Sequence, residues 1–448
     1  MQKGLREFLG VLEQNSRLRR LSRPVNPRDI SAIIARSEFA SMMEIEGYDM
    51  PVVGGVVRDR NAVALALNCE PKEISLKVLE ALRHPVESEM VKNAPCQEVV
   101  ITEDDVDLTR FPIVFQHEQD GAPYISSAVQ FARWGKWDLN AGMYRHMFRT
   151  KNLLNIDLNT PNDLRLFYSQ AHSQGKPLEI AAALGLHPAE MIAATYAPPT
   201  GVNEMGIAGA LRGESVELVK CKTVDVEVPA NAEIVLECEI LPDGWIADEG
   251  RYGEFHGVAG AMKNNPLVRV KAITHRKNPI FYSLLMPDEV YALNAPILEA
   301  QARNILEDAR IRPAAIRAPR GACAFFELIV ALDHPIPGEG KSALMALMSI
   351  MGVKMVTVVD DDINIYDDNE LRWAVALRVQ ADRDVVIVSN AQAKHMDPTV
   401  RADKLPPGRL PTTSKMGIDA TIPADIDRRE YEKARIYRFN EVELSDFD

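Results

Sequence analysis

Two stretches, Glu233-Ile-Val-Leu-Glu-Cys-Glu-Ile-Leu241 and Leu267-Val-Arg-Val-Lys-Ala-Ile-Thr274, decide the fold class that this sequence predicts. Both contain β-branched residues and largely alternate between apolar and polar side chains, which is typical of half-buried strands. Shorter stretches of the same kind recur from Cys96 to about Pro287 and are joined by Pro, Gly or Asp turns. A mostly antiparallel barrel or sandwich is the economical arrangement, because closure removes exposed sheet edges.

A glycine-rich loop, Asp248-Glu-Gly-Arg-Tyr-Gly-Glu-Phe-His-Gly257, lies between these two stretches. Its three glycines disfavour a stable helix and let the backbone bend closely around a small ligand. The loop carries Glu249 and Glu254. Two carboxylates in a closed site would repel each other, so one would keep its proton unless a cation stood nearby. The pair is a candidate for acid–base chemistry, although the loop alone is more simply interpreted as a solvated turn.

The segments on either side of the strand-rich region alternate helices and strands, which predicts α/β units. Before Cys96 we expect a small unit with apolar strands over Pro51–Val57 and Ala62–Leu67. A long helical pattern over Glu289–Arg310 follows the strand-rich region, and the remainder alternates β and α as a doubly wound sheet does.

Composition excludes several classes of function. The chain has 448 residues, and 51 basic against 64 acidic side chains give a formal net charge of −13 without a long basic run, which disfavours nucleic-acid or anionic-membrane partners. Five widely spaced cysteines without a Cys-x-x-Cys pair argue against a zinc ribbon and a disulfide framework. The N-terminus predicts an amphipathic helix instead of a signal peptide, and no apolar run has transmembrane length. We therefore expect a cytoplasmic protein.

Two further motifs are ordinary when taken singly. In Asp138-Leu-Asn-Ala-Gly-Met-Tyr-Arg145, the residues Asn140, Gly142 and Tyr144 alternate onto one face, as in a hairpin. Pro and Gly before Glu204 place that acid at the start of a helix, where the helix dipole favours negative charge.

These motifs occur together and in order, and their succession resembles the UbiD family of prenylated-flavin-dependent decarboxylases. The resemblance runs from about Asp138 to Thr421 and is densest between Ala197 and Gly257. It includes the two motifs above, the glutamate loop and three further segments: Ala208-Gly-Ala-Leu-Arg-Gly213, Val228-Pro-Ala-Asn-Ala-Glu-Ile-Val-Leu-Glu237 and Lys415-Met-Gly-Ile-Asp-Ala-Thr421.

The resemblance implies a mixed α/β (α+β) architecture in four parts. These are an N-terminal α/β unit (1–104), a central split β-barrel that binds prenylated FMN (105–288), a linking helix (289–310) and a C-terminal α/β oligomerisation domain (311–448). It also implies a homo-oligomer, a dimer or a hexamer, and a flavin prenyltransferase as the partner that supplies the cofactor. No nucleic acid or membrane span is expected.

The resemblance also assigns site residues. Arg145, Glu249 and Glu254 would be catalytic; Asn140, Gly142, Arg145, Glu204 and Lys415 would bind the cofactor; and Asn140 and Glu204 would be metal ligands. The metal would be Mn²⁺ or Mg²⁺, with K⁺ beside it, and hard oxygen ligands on an acidic protein suit such ions. Family members carry a third ligand, a His, yet residues 151–166 contain none. We expect His172 or His146, or an Asp, an Asn or water, to replace it.

The implied function is the reversible, non-oxidative decarboxylation of an aromatic, heteroaromatic or α,β-unsaturated carboxylic acid by a carboxy-lyase. Glu254 would donate and accept the proton, while Arg145 would hold Glu249 ionised and can steer the substrate carboxylate. Two alternatives remain open: a flavin-binding oligomer without decarboxylase activity, and a metal-dependent hydrolase that uses the two glutamates.

Overall fold

The computed structural model describes residues 3–135, 139–199, 202–394, 396–400, 405, 410–434, 436–437, 441–442 and 445. Asp138, the first residue of one predicted motif, lies outside these ranges. The chain forms two compact units, of which the first comprises Met1–Asn304 and Ala318–Phe326 and the second comprises Ile305–Arg317 and Glu327–Asp448.

The elements of the first unit alternate strands with short helices. Its strands are β1 (Leu18–Arg20), β2 (Ala40–Met43), β3 (Val52–Gly54), β4 (Glu89–Met90), β5 (Val99–Thr102), β6 (Tyr124–Ile125), β7 (Val129–Ala132), β8 (Asn140–Met143), β9 (His146–Thr150), β10 (Leu153–Ile156), β11 (Leu178–Leu184), β12 (Glu217–Lys220), β13 (Glu227–Pro229), β14 (Ile234–Ile240), β15 (Ala247–Glu249), β16 (Lys263–Asn265), β17 (Leu267–His275) and β18 (Phe281–Tyr282). Its helices are α1 (Leu5–Gln14), α2 (Ile30–Arg36), α3 (Arg60–Leu67), α4 (Ile74–Arg83), α5 (Asp163–Ser173), α6 (Pro188–Ala193), α7 (Glu204–Arg212) and α8 (Asp288–Asp308), the last of which continues into the second unit.

A nine-stranded sheet forms the centre of the first unit. Its strands follow the order β6-β9-β10-β17-β14-β11-β7-β8, and β5 pairs with β17. Every pair is antiparallel, and the sheet curls into a half-barrel. Both faces are covered, because Val235 lies in one hydrophobic core while its neighbours Ile234 and Leu236 lie in another. The predicted antiparallel barrel and the mixed α/β fold class are confirmed.

The N-terminal segment shares sheets with the strand-rich region. β18 adds in parallel to β3 at the end of a four-stranded sheet with β1 and β2, and β4 pairs with β12. These pairings make one compact unit out of both segments. One predicted strand is wrong: Ala62–Leu67 belongs to the helix α3, whose first turn is capped by the Asp59 carboxylate accepting the Ala62 N–H. A short apolar run cannot be distinguished from a buried helix by its periodicity.

The second unit contains a five-stranded sheet in the order β19-β20-β21-β23-β22. Its elements are the strands β19 (Pro313–Arg317), β20 (Glu327–Leu332), β21 (Met355–Asp360), β22 (Val385–Gln392) and β23 (Thr412–Ala420) and the helices α9 (Glu339–Leu347), α10 (Asp368–Arg378) and α11 (Ala381–Asp384). The three central strands are parallel and both edge strands are antiparallel to their neighbours. The predicted alternation of β and α is present, in a mixed sheet. Among the described residues, no helix is long and apolar enough to cross a membrane.

Candidate active site

Arg145 and Asp157 meet at the ends of two neighbouring strands. Arg145 precedes β9 and Asp157 follows β10, and the register pairs His146 with Ile156. The Arg145 Nη2 consequently lies 2.8 Å from the Asp157 Oδ2. Burial alone would raise the pKa of Asp157, but the positive charges of Arg145 and Lys263 hold this pKa below its usual value. Asp157 is thus an ionised anchor for the guanidinium.

The two loop glutamates share the same guanidinium. Arg145 Nε donates to Glu249 Oε1 at 2.8 Å and Nη2 to Glu249 Oε2 at 3.1 Å, while Nη1 faces both oxygens of Glu254 at 3.1 and 3.0 Å. Glu249 and Glu254 are 1% and 4% exposed. Each of the three guanidinium nitrogens therefore already has a carboxylate oxygen within hydrogen-bonding distance.

The glutamates differ in their remaining partners. Glu249 Oε2 also accepts a 2.7 Å hydrogen bond from the Asn265 amide. Glu254 has the Lys263 ammonium at 3.6 Å, and the same ammonium lies 3.5 Å from Asp157. Glu249 thus accepts three short hydrogen bonds from the Arg145 guanidinium and the Asn265 amide, whereas Glu254 faces one guanidinium nitrogen and the more distant Lys263 ammonium.

Two glycines in the loop allow close approaches of the backbone. A Cβ at Gly250 would lie 2.5 Å from the Gly121 Cα, and a Cβ at Gly253 would overlap the His117 ring. Only Gly257 among the three loop glycines has a positive φ, of 74°. The expected bending is therefore confined to the end of the loop, and the other two glycines serve tight packing.

Further contacts fix the loop beneath Arg145. The Asp120 carboxylate accepts the Gly253 N–H at 3.0 Å, and the Tyr124 hydroxyl donates to the Gly250 carbonyl at 3.0 Å. The Tyr252 ring lies 4.7 Å from the Arg145 guanidinium carbon, in cation–π geometry. These contacts hold the glutamates in place before any ligand arrives.

Replacing Gly250 with Ala should separate the two backbones and displace Glu249. We expect the free energy of unfolding to fall by about 1–3 kcal/mol, because overpacking forces backbone shifts. Urea unfolding measures this. Gly10→Ala is the matched control, since a Cβ there meets nothing within 4 Å and Gly10 lies in α1, so this change should stabilise. Equal stability of Gly250→Ala and the wild type would contradict the packing role.

Asn140, the first residue of β8, and Glu204, the first residue of α7, form a second polar pair. The Asn140 amide donates to Glu204 Oε1 at 2.9 Å, and the Ala141 N–H donates to Oε2 at 3.0 Å. Glu204 is 2% exposed, and burial raises its pKa to about 8, with a contribution from the Asp163 carboxylate. In the described part of the chain no Lys or Arg forms an ion pair with Glu204. A buried carboxylate with only amide donors has the character of a cation ligand.

Two helices that begin with an acidic residue pack against the strand that carries Asn140. Glu204 is the first residue of α7 and Asp163 is the first residue of α5, and both helices pack against β8. α5 is absent from the sequence-based assignment, although Asn162 caps it by accepting the Arg165 N–H. Helix N-termini attract anions such as phosphate, and the two acids attract a cation. A metal-bridged phosphate fits this combination.

The other predicted site residues lie as follows. Gly142, on β8, leaves room for the Tyr144 ring, which a Cβ would meet at 2.7 Å. Lys415 is buried in the second unit, where its ammonium donates to the carbonyls of Met348 and Ile350 at 2.8 and 2.6 Å. Burial lowers its pKa.

The two candidate histidines lie on different elements. His172 is nine residues along α5 from Asp163, which is about 14 Å, and its Nδ1 contacts the Pro242 carbonyl at 2.7 Å. His146 is fully buried on β9, and burial lowers its pKa to about 4. Its imidazole nitrogens have no hydrogen-bond partner among the described residues.

Three residues of the cluster escaped the sequence analysis: Asp157, Lys263 and Asn265. Lys263 reaches the site because β15 and β16 pair antiparallel with Glu249 opposite Lys263. Asp157 arrives through the pairing of β9 with β10. Both contacts depend on which residues of the paired strands lie opposite each other. A single sequence gives no direct signal for this register in such short strands.

A cleft of about 570 Å³ adjoins the cluster within the first unit. Lys263 and Asn159 form part of its wall, and both contact Asp157. Trp245 and Met262 supply apolar surface. The cleft has the size of a small-molecule site.

Comparison with known protein families assigns the curled half-barrel of this chain to a class of carboxy-lyase. Residues 89–288 match the Rift-related domain of 3-octaprenyl-4-hydroxybenzoate carboxy-lyase, and residues 293–420 match the C-terminal domain of that enzyme. The chain belongs to the UbiD family and is a UbiD-like decarboxylase. The resemblance stated from the motifs is confirmed.

Individual relatives span the whole chain. The anhydromevalonate phosphate decarboxylase of Methanosarcina mazei is 30% identical over 434 residues, covering 96% of this chain and 99% of the relative. The UbiD-class enzyme HmfF from Pelotomaculum thermopropionicum, solved with FMN, is 35% identical with a TM-score of 0.92, and the match covers 99% and 100% of the two chains. An evolved dimeric form of HmfF with prFMN is 33% identical with a TM-score of 0.89, over 99% and 100% of the chains.

Proposed function

We propose that this protein decarboxylates an aromatic, heteroaromatic or α,β-unsaturated carboxylic acid, reversibly and without net oxidation, using prenylated FMN and Glu254 as the proton donor and acceptor. The observation that carries the proposal is the unequal environment of the two glutamates around one guanidinium. Glu249, which accepts three short hydrogen bonds, orients Arg145. Glu254, beside the cleft wall formed by Lys263, exchanges the proton.

The chemical balance is simple. The bond between the substrate carbon and its carboxylate breaks, carbon dioxide leaves, and the electron pair on carbon takes a proton from the Glu254 carboxyl group. The reverse reaction returns that proton to Glu254. Prenylated FMN, when bound, supplies the electron sink for this pair. The buried surroundings of Glu254 strengthen its interactions by excluding water.

Asn140 and Glu204 fit a divalent cation that holds the cofactor phosphate. Glu204 is buried without a cationic partner in the described residues, and oxygen donors suit Mn²⁺ or Mg²⁺. The Asn140 amide points its NH₂ group at Glu204, so ligation uses the amide oxygen after a flip of the side chain. Gly142 lies on the same strand as Asn140, and a K⁺ ion beside the divalent cation completes this proposal.

Asp163 is our proposed third metal ligand in place of the histidine that other family members carry. It begins α5 against β8, and its charge contributes to the raised pKa of Glu204, so the two carboxylates are electrostatic neighbours. His172 contacts the carbonyl of Pro242 about 14 Å further along the same helix.

Replacing Asp163 with Ala should lower Mn²⁺ affinity about 10-fold or more, while Asp163→His should retain it. Elemental analysis and Mn²⁺ paramagnetic resonance after dialysis of the flavin-loaded protein measure this. Asp368→Ala changes the acid that begins α10 and is the control that should keep the metal. Unchanged Mn²⁺ affinity in Asp163→Ala would exclude this ligand.

The substrate of the Methanosarcina mazei relative suggests one class of acid for this chain, an α,β-unsaturated acid with a phosphate ester. The dimeric HmfF relative supports a homo-oligomer, and we assign that contact to residues 311–448. We place the protein in the cytoplasm with a flavin prenyltransferase as its cofactor source.

Co-expression with a flavin prenyltransferase tests the function. We expect a modified-flavin absorption spectrum and release of carbon dioxide from at least one unsaturated or aromatic acid. Bound cofactor with neither carbon dioxide release nor hydrogen–deuterium exchange on any acid would favour the flavin-binding alternative. Metal without flavin would favour the hydrolase.

A further inference from the structure

Arg145 is poorly placed to receive a substrate anion. Its three nitrogens face Asp157, Glu249 and Glu254, all within hydrogen-bonding distance. An incoming carboxylate would have to displace one of these buried anions. The sequence-based expectation that Arg145 steers the substrate is therefore unfavourable on charge grounds.

Two other cations line the cleft. The Lys263 ammonium is 3.5 Å from Asp157 and 3.6 Å from Glu254, longer than ordinary hydrogen bonds, and its side chain is 30% exposed. Arg165 projects from the first turn of α5 and lies over the Trp245 ring at 5.4 Å, while its Nη1 donates to the Asn159 carbonyl. Lys263 thus keeps donors for a ligand.

Arg165 has no carboxylate partner within the described ranges. The Asp248 side chain also lines the cleft, but it forms no ion pair with Arg165 or Lys263 there. A guanidinium fixed on an indole ring, with unused donors toward a cleft, is a preorganised receptor for carboxylate or phosphate. Among the described residues that line the cleft, Arg165 and Lys263 are cationic and Asp248 is acidic, so the lining carries more positive than negative charge. Asp157 and Glu254 lie 3.5 and 3.6 Å from the Lys263 ammonium and partly offset its charge, which leaves Arg165 as the cation without an acidic partner in the described ranges.

We propose that Arg165 and Lys263 form an anion subsite in this cleft and that the acid substrate carries a second anionic group, a carboxylate or a phosphate ester. The proposal rests on the proposed function and names its substrate class. Lys263 adjoins Glu254, so it receives the anion nearer the proton donor. Arg165 binds the other anion, and Trp245 and Met262 cover the apolar part between.

Calorimetric titration of the flavin-loaded protein with matched acids tests this subsite. Sorbate and muconate share a six-carbon diene, and only muconate has a second carboxylate. We expect muconate to bind about 10-fold tighter or more. In Arg165→Gln, the ratio of muconate affinity to sorbate affinity should fall close to one while sorbate affinity stays unchanged. Arg165→Lys should retain most of the preference for muconate. A hydroxylated enoic acid and its phosphate ester form the second pair, which distinguishes phosphate from carboxylate.

Arg269→Gln is the control, because Arg269 pairs with Glu239 at a solvent-exposed position of β17 and its replacement should leave the affinity ratio unchanged. Equal or undetectable binding of both members of each pair by the wild type would overturn the subsite. An unchanged ratio of muconate to sorbate affinity in Arg165→Gln would also overturn it. Loss of flavin from Arg165→Gln with that ratio unchanged would mean that Arg165 binds the cofactor phosphate and not the substrate. If muconate still binds more tightly than sorbate but no carbon dioxide is released, the proposed function is rejected and the anion subsite is not.

Discussion

Glu254→Gln should lower decarboxylation by about 10²–10⁴-fold while the protein keeps its flavin, because a positioned general acid contributes a factor of this size. Gln preserves the shape of the side chain and can still face Arg145 Nη1, but it cannot deliver a proton to carbon. The measurement is the release of carbon dioxide at saturating substrate, together with the flavin absorption spectrum. Hydrogen–deuterium exchange into the product should fall by the same factor, since it uses the same proton transfer.

The matched control for this substitution is Glu239→Gln. Glu239 lies on β14, outside the cluster, and its carboxylate pairs with Arg269 at 3.1 Å. We expect it to keep the wild-type rate and flavin content. If Glu254→Gln kept near-wild-type turnover, the proton donor would have to be another group, and Glu249 would be the first candidate.

The loop glutamates and Arg145 could be selected as candidate residues from the sequence, because the Gly-rich loop and the Arg145 motif are each continuous in sequence. The strand patterns over Glu233–Leu241 and Leu267–Thr274 likewise correspond to β14 and β17. The pairing of Arg145 with Glu249 is observed at 2.8 Å. These features depend on short-range patterns of residue type, which sequence analysis can detect.

The features that were missed depend on register or on competing local preferences. Asp157 and Lys263 enter the cluster through antiparallel pairing of short strands, and a shift of one residue would turn both away. α3 begins with an Asp cap that outweighs the apparent strand pattern of Ala62–Leu67, and α5 begins with an Asn cap in a segment for which no element was predicted. The anchor of Arg145 and the proposed metal ligand Asp163 were therefore missed.

Arg145→Met should destabilise the folded protein by about 3–5 kcal/mol at neutral pH, because it leaves the buried carboxylates of Glu249 and Glu254 and the partly buried carboxylate of Asp157 without their shared cation. Lys263 alone remains near Asp157 and Glu254, and the Asn265 amide remains on Glu249. Urea unfolding at pH 7.5 measures this decrease in the free energy of unfolding. Arg269→Met removes an exposed ion pair and should change the free energy of unfolding by less than about 1 kcal/mol.

The pH dependence of this loss identifies its cause. In the wild type, the folded-state pKa of Asp157 lies below its unfolded value, so its ionisation stabilises the fold above the unfolded pKa and this contribution disappears as the pH falls. In Arg145→Met, burial without the cation raises the carboxyl pKa values above their unfolded values. The folded variant then binds more protons than its unfolded chain, and its stability rises as the pH is lowered. We expect the gap between variant and wild type to narrow from pH 7.5 to pH 5. A gap that is equal at both pH values would mean that lost packing on the Tyr252 ring, and not uncompensated charge, sets the cost.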